Sequence, residues 1–217
     1  MKIVNFDEYN LNKKTLLANI PKSVFIYPTD TIYGIGCNAL DEKLVARLRK
    51  IKNTEKPLSV IAPTKEWISN NCVITEEAEG WLKKLPGPYT LILKLKNPKA
   101  VAKNVYNNSE MTLGVRMPDN WFLEVAKSAR IPIITTSANI SGENFMTSID
   151  DLDQKISGSV DYVFYDGDKK KGTPSTIINL AGAEIIIQKR LGPNSKSKKN
   201  ASKKLKFPSK EIDSLKR

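Results

Sequence analysis

A strand that runs directly into a turn rich in hydroxyls and glycines constrains this chain more than any other feature. Val24-Phe25-Ile26 is a short apolar, β-branched and aromatic run of the kind buried in a sheet. It continues as Tyr27-Pro28-Thr29-Asp30-Thr31-Ile32-Tyr33-Gly34-Ile35-Gly36. The proline ends the run, two threonines and an aspartate follow, and the two glycines read as a turn. Open α/β sheets bind ligands just beyond strand carboxyl ends, where hydroxyls and a carboxylate can orient a polar molecule. Alone, such a stretch reads better as an ordinary loop. A second stretch, Ile133-Ile134-Thr135-Thr136-Ser137-Ala138-Asn139-Ile140-Ser141-Gly142, repeats the pattern about a hundred residues later and favours a site.

Periodicity fills in the rest. The sequence predicts helices over 7–20, from Asp41 to about Ile51, from Thr64, from Thr75 to about Leu85, from Asp119 or Asn120 through Ala129, and over 150–156. It predicts strands over 24–27, 58–62, 90–95, 111–116, 131–135, 160–165, 175–180 and 185–189. Their irregular alternation implies an α/β (mixed α+β) fold: an open, twisted mixed sheet flanked by helices. Gly192-Pro193 ends the compact part, so residues 1–193 read as one domain. Residues 194–217 read as a basic, flexible tail with at most a short helix over 209–215.

Composition narrows the chemistry. There is no histidine, which excludes Ser-His-Asp triads and histidine metal sites. The two cysteines, Cys37 and Cys72, lack metal-ligand spacing, and no metal-binding residues are assigned. No apolar run approaches the ~20 residues of a membrane span, and Asp7 interrupts the N-terminus too early for a signal-peptide core, so the expected compartment is the cytoplasm. Net charge is +12, of which the tail carries +7; such a tail is either a solvated end or an attractor of RNA phosphates. Catalysis here must use Lys, Arg, Asp, hydroxyls or a bound metal, which favours phosphoryl or nucleotidyl transfer by positioning and electrostatics.

Short polar groups follow several strands: Thr29, Asp30 and Thr31; Ser137, Asn139 and Ser141; and Gly172-Thr173-Pro174-Ser175-Thr176 before another strand. Lys50, Lys52 and Lys56 cluster after a helix, while Arg116 and Arg190 each end a strand. Such groups bind phosphate, ribose or an amino acid, although each also has a turn, cap or surface explanation. Neither a Gly-x-x-x-x-Gly-Lys-Ser/Thr loop nor a Gly-x-Gly-x-x-Gly fingerprint is present.

Taken in order, PTDTIYGIG, the lysine-rich segment ending KPL, GPYTLIL, GVRMPD, TTSANISG, STIINL and QKRLG resemble the YrdC-like family of threonylcarbamoyl-AMP synthases, over roughly residues 14–193. The resemblance implies an open α/β sheet with a concave basic cavity. It implies formation of L-threonylcarbamoyladenylate and diphosphate from L-threonine, bicarbonate and ATP, with Mg²⁺ assisting. A separate complex would then transfer the group to tRNA. By position, Thr31, Arg116, Ser137 and Ser175 correspond to L-threonine contacts. Thr112, Asn139, Thr147 and Arg190 correspond to ATP contacts. Lys52 matches the family lysine, and Lys56 precedes the Pro-Leu pair; both are expected at the ATP phosphates as catalytic groups. One departure stands out: Thr54 occupies the place of a family arginine in a loop two residues short. Ile61 stands about where the family has a histidine. That departure and the basic tail leave an alternative open, a catalytically weakened RNA-binding or ribosome-associated member of the same fold.

Overall fold

The computed structural model describes residues 1–167, 170 and 172–190, and the backbone of 202–205. Its strands are β1 (Lys2–Asn5), β2 (Val24–Tyr27), β3 (Gly34–Cys37), β4 (Ser59–Ile61), β5 (Tyr89–Lys94), β6 (Thr112–Arg116), β7 (Ile133–Ser137), β8 (Tyr162–Tyr165), β9 (Thr176–Asn179), β10 (Ile185–Gln188) and β11 (Ser202–Leu205). Its α-helices are α1 (Phe6–Leu11), α2 (Lys13–Asn19), α3 (Glu42–Lys52), α4 (Lys65–Asn71), α5 (Glu76–Lys83), α6 (Phe122–Ala129) and α7 (Gln154–Ser157).

The strands form one sheet in the order β1-β8-β2-β3-β7-β4-β6-β5-β9-β10-β11. Parallel pairs (β1 with β8, β2 with β8, β4 with β6, β5 with β9) mix with antiparallel ones, as the sequence predicts. Helix starts follow the capping residues. Asp41 accepts bonds from the Lys43 and Leu44 amides at the start of α3, and Thr64 and Thr75 cap α4 and α5. Helix α3 ends on Asn53 in the left-handed region, which frees the chain to turn into the Lys56 loop.

Two strands depart from the sequence reading. Strand β1 lies inside no predicted element, because its only partner in the sheet is β8, far away in the chain. The more instructive departure is β3. Gly34-Ile35-Gly36 does not turn; it is a buried strand between β2 and β7. A Cβ on Gly36 would lie 2.1 Å from the Ile134 carbonyl oxygen and 2.9 Å from the Tyr27 ring. The glycine is there to let β7 come close. Tyr27 uses that closeness: its hydroxyl donates to the Ile134 carbonyl at 3.1 Å, and its ring stacks on Phe122 at 4.4 Å between centroids.

Within the expected tail, the described piece is β11, which pairs antiparallel with β10 through Ile185 and Leu205. The other tail expectations, including the helix over 209–215, lie outside the described residues. Among the described residues, no helix is long and apolar enough to cross a membrane.

Candidate active site

Side-chain alternation builds the site. Residues of one parity on neighbouring strands face the same side of a sheet. Thr112, Gly114 and Arg116 on β6, Thr90 and Ile92 on β5, and Ile177 and Asn179 on β9 all line one cavity of about 540 Å³. Their neighbours of opposite parity, Leu113, Val115, Leu91, Leu93 and Ile178, are fully or almost fully buried in the core. Ser59, Ser175, Gln188 and Arg190 extend the same polar face, while Thr29, Ser137 and Lys56 close its edges.

Two guanidinium groups dominate the electrostatics. Arg116 donates from Nη2 to Asp30 Oδ1 at 2.6 Å, with both side chains about nine-tenths buried, and lies 3.5 Å from Thr31 Oγ1. Its Nε has no protein partner. Arg190 donates from Nε to the Ser175 carbonyl at 2.9 Å and from Nη2 to Ser175 Oγ at 2.7 Å. Ser175 Oγ shares a hydrogen bond with Thr90 Oγ1 at 2.7 Å. Burial, and then the charge of Arg116, pull the Arg190 guanidinium down to about 10. No carboxylate pairs with Arg190 among the described residues. Two cations converging on one cavity, with Asp30 the one acid paired with either of them among the described residues, favour an anionic ligand.

The structure brings Lys56, Thr112, Arg116, Ser137, Ser175 and Arg190 onto the lining. Thr31 stands one layer behind, bonded to Thr29 Oγ1 at 2.9 Å beside Arg116. Lys52 and Asn139 are also behind the wall. The Lys52 ammonium, expected at the ATP phosphates, instead donates to the carbonyls of Ser137 (2.5 Å) and Asn139 (2.7 Å) and to Asn139 Oδ1 (3.2 Å). Its own carbonyl accepts the Ser141 amide. A lysine with all three donors committed this way holds the 137–141 turn in place. Thr147 is outside the lining too; its hydroxyl donates to Asp151 Oδ2 at 2.6 Å. Sequence reasoning named Asp30 among the polar groups after a strand without giving it a role, and did not single out Thr90, Ser59 and Asn179. Period-two alternation through β5 and β6 was the available signal for Thr90, and the Thr-Asp-Thr triplet for Asp30.

Burial brings the Lys52 ammonium down to about 8. Because this value is below the usual one for lysine, about 10, the unfolded chain binds the proton more tightly, and between about pH 8 and pH 10 this group makes the fold more stable as pH rises. The neutral amine nevertheless keeps two of three donors. Turnover is therefore expected to fall above pH 8, relative to a Lys52→Arg variant, without a drop in melting temperature. Parallel activity profiles for the two proteins would contradict this.

Residues 22–190 match the Sua5/YciO/YrdC family model, described as "Telomere recombination". A Methanocaldococcus jannaschii protein named "Putative threonylcarbamoyl-AMP synthase" is 37% identical over 196 residues, covering 85% of this chain and 90% of its own length. The threonylcarbamoyl-AMP synthase of Pyrococcus abyssi is 36% identical over 160 residues, covering 71% of this chain and 46% of its own length. The crystal structure of P. abyssi Sua5 complexed with L-threonine superposes with a TM-score of 0.73 at 29% identity, covering 84% of this chain and 54% of that one. The fold is mixed α/β, and its basic, hydroxyl-lined cavity has the chemistry that favours an anionic ligand. This chain belongs to the Sua5/YciO/YrdC family.

Proposed function

We propose that the protein is an L-threonylcarbamoyladenylate synthase, a nucleotidyltransferase that joins L-threonine, bicarbonate and ATP and releases diphosphate. The observation that carries this reading is the convergence of Arg116 and Arg190 on one cavity lined by hydroxyls from several strands. An amino acid and a nucleotide supply the anionic groups that such a pair attracts, and the hydroxyls match their polar atoms. The names of the relatives support the same substrates. An RNA binder without catalysis has no use for such a cavity.

In this reading the threonine amine condenses with bicarbonate to a carbamate, losing water. A carbamate oxygen then attacks the α-phosphorus of ATP, and the bond to the departing diphosphate breaks. Arg116 takes the amino-acid carboxylate through the part of its guanidinium that Asp30 leaves open to the cavity, with Thr31, Ser137 and Ser175 around the polar atoms. Thr112 and Arg190 serve the nucleotide from the sheet, with Asn139 and Thr147 shaping that end from behind the lining. Lys56 reaches the phosphates from the rim; its ammonium has no protein partner among the described residues. Preorganised cations of this kind stabilise the charge that builds on phosphate oxygens, and a dry cavity protects a labile adenylate. Mg²⁺ is a different matter. Among the described residues no three acidic or thiol groups stand together, and Glu110 is the one carboxylate on the lining. These residues do not make a protein-built metal site, and no step is routed through one. The product's consumer is a tRNA-modifying transfer complex, and the compartment is the cytoplasm.

Diphosphate release from ATP should require threonine. Serine should be a poorer substrate, since it lacks a methyl group whose burial is worth ~1 kcal/mol. Equal release with and without threonine would sink the proposal.

A further inference from the structure

The guanidinium of Arg49 makes four hydrogen bonds and meets no carboxylate among the described residues. Nε and Nη2 donate to the Asn104 carbonyl at 3.1 and 2.7 Å. Nη1 donates to the carbonyls of Thr54 at 3.1 Å and Lys56 at 2.9 Å. One planar fork at the end of α3 therefore ties two separate segments together. The first, 53–57, carries Lys56 to the cavity rim. The second, around Asn104, is joined to the first again by the Leu58 amide donating to the Val105 carbonyl at 2.8 Å. Asn104 is itself tied back to α3, its side-chain amide donating to the Glu42 carbonyl at 3.1 Å.

We infer that Arg49 is a positioning residue for Lys56, fixing the loop from which that lysine addresses the nucleotide. The inference rests on the proposed synthase activity. Its physical basis is geometric. Lys56 is exposed, with no side-chain partner among the described residues, so its place over the cavity depends on its backbone. That backbone is held through the Lys56 and Thr54 carbonyls, and both holds come from Arg49. A loop this short, entered from a left-handed Asn53, has few other anchors: the Asn53 amide to the Lys50 carbonyl, the Thr54 amide to the Arg49 carbonyl, the Leu58 amide at its far end, and the Lys56 amide to Thr54 Oγ1 at a long 3.4 Å. Lysine in place of Arg49 offers a point charge on a flexible stem and cannot span three carbonyls in a fixed plane.

The test is a double-mutant cycle on the full chain. Arg49→Met and Arg49→Lys are each made alone and with Lys56→Ala, and KM for ATP, KM for threonine, kcat and melting temperature are measured. Misplacing Lys56 by about an ångström should raise KM for ATP on the order of ten- to a hundredfold in Arg49→Met. Arg49→Lys should fall between, KM for threonine should stay near wild type, and the ATP effect should vanish once Lys56 is alanine. Equal losses with and without Lys56, or equal rises in both KM values, would overturn the inference. If Arg49→Met does not fold, Arg49→Lys carries the same comparison. If the wild-type protein forms no adenylate, the synthase reading fails. Amide hydrogen exchange over 54–58 then decides the clamp: faster exchange in Arg49→Lys supports it, unchanged exchange refutes it.

Discussion

Arg116→Ala should remove most threonine-dependent diphosphate release. The guanidinium is almost fully buried, bonded through Nη2 to Asp30, and the residue lines the cavity. Truncating one partner of such a buried charge pair typically costs ~2–5 kcal/mol, roughly thirty- to a few thousandfold in kcat/KM. The variant also leaves Asp30 buried without its cation, a loss of about 3–5 kcal/mol in stability by analogy with other broken buried pairs. The two effects separate cleanly. Adding Asp30→Asn removes the stranded charge and should recover much of the melting temperature, while threonine use stays lost. Full activity in Arg116→Ala would leave the arginine as a structural partner of Asp30 and nothing more.

The sequence made the sheet-forming runs and helix caps legible because they are local. Asp41, Thr64 and Thr75 each bond amides within three residues, so their positions alone predict where α3, α4 and α5 begin. What it concealed depends on distant neighbours. Gly34 and Gly36 look like turn residues until β7 is placed beside them. Lys52 looks like a free phosphate ligand because its cage of oxygens comes from residues about 85 positions away. Arg116 and Arg190 were readable as charges ending strands. Their convergence was not, since it depends on the order β6-β5-β9-β10 across the sheet.

Gly36→Ala is expected to be among the most destabilising single-methyl changes in the chain. The new methyl would stand 2.1 Å from a backbone oxygen, 2.9 Å from the Tyr27 ring and 3.1 Å from Ile133 Cγ2. Two of these contacts come from β7, so the strand must move away as a unit. That movement would stretch the Tyr27 hydroxyl bond to Ile134 and carry Ser137, at the end of β7, out of the cavity wall. Overpacking of this kind costs up to about 3 kcal/mol, a fall in melting temperature of roughly 6–12 °C for a chain of this length. Activity should fall with it, because β7 carries part of the site. A melting temperature within a degree or so of wild type would mean that the β3–β7 approach is looser than this geometry implies.

The most direct test of the central claim is mass spectrometry of the product formed from ATP, L-threonine and ¹³C-bicarbonate by the full chain. The account predicts a threonylcarbamoyl-adenylate one mass unit heavier than that made from unlabelled bicarbonate, appearing in step with diphosphate and absent when threonine is omitted. Diphosphate or AMP released with no labelled adenylate, or an adenylate formed without threonine, would contradict it.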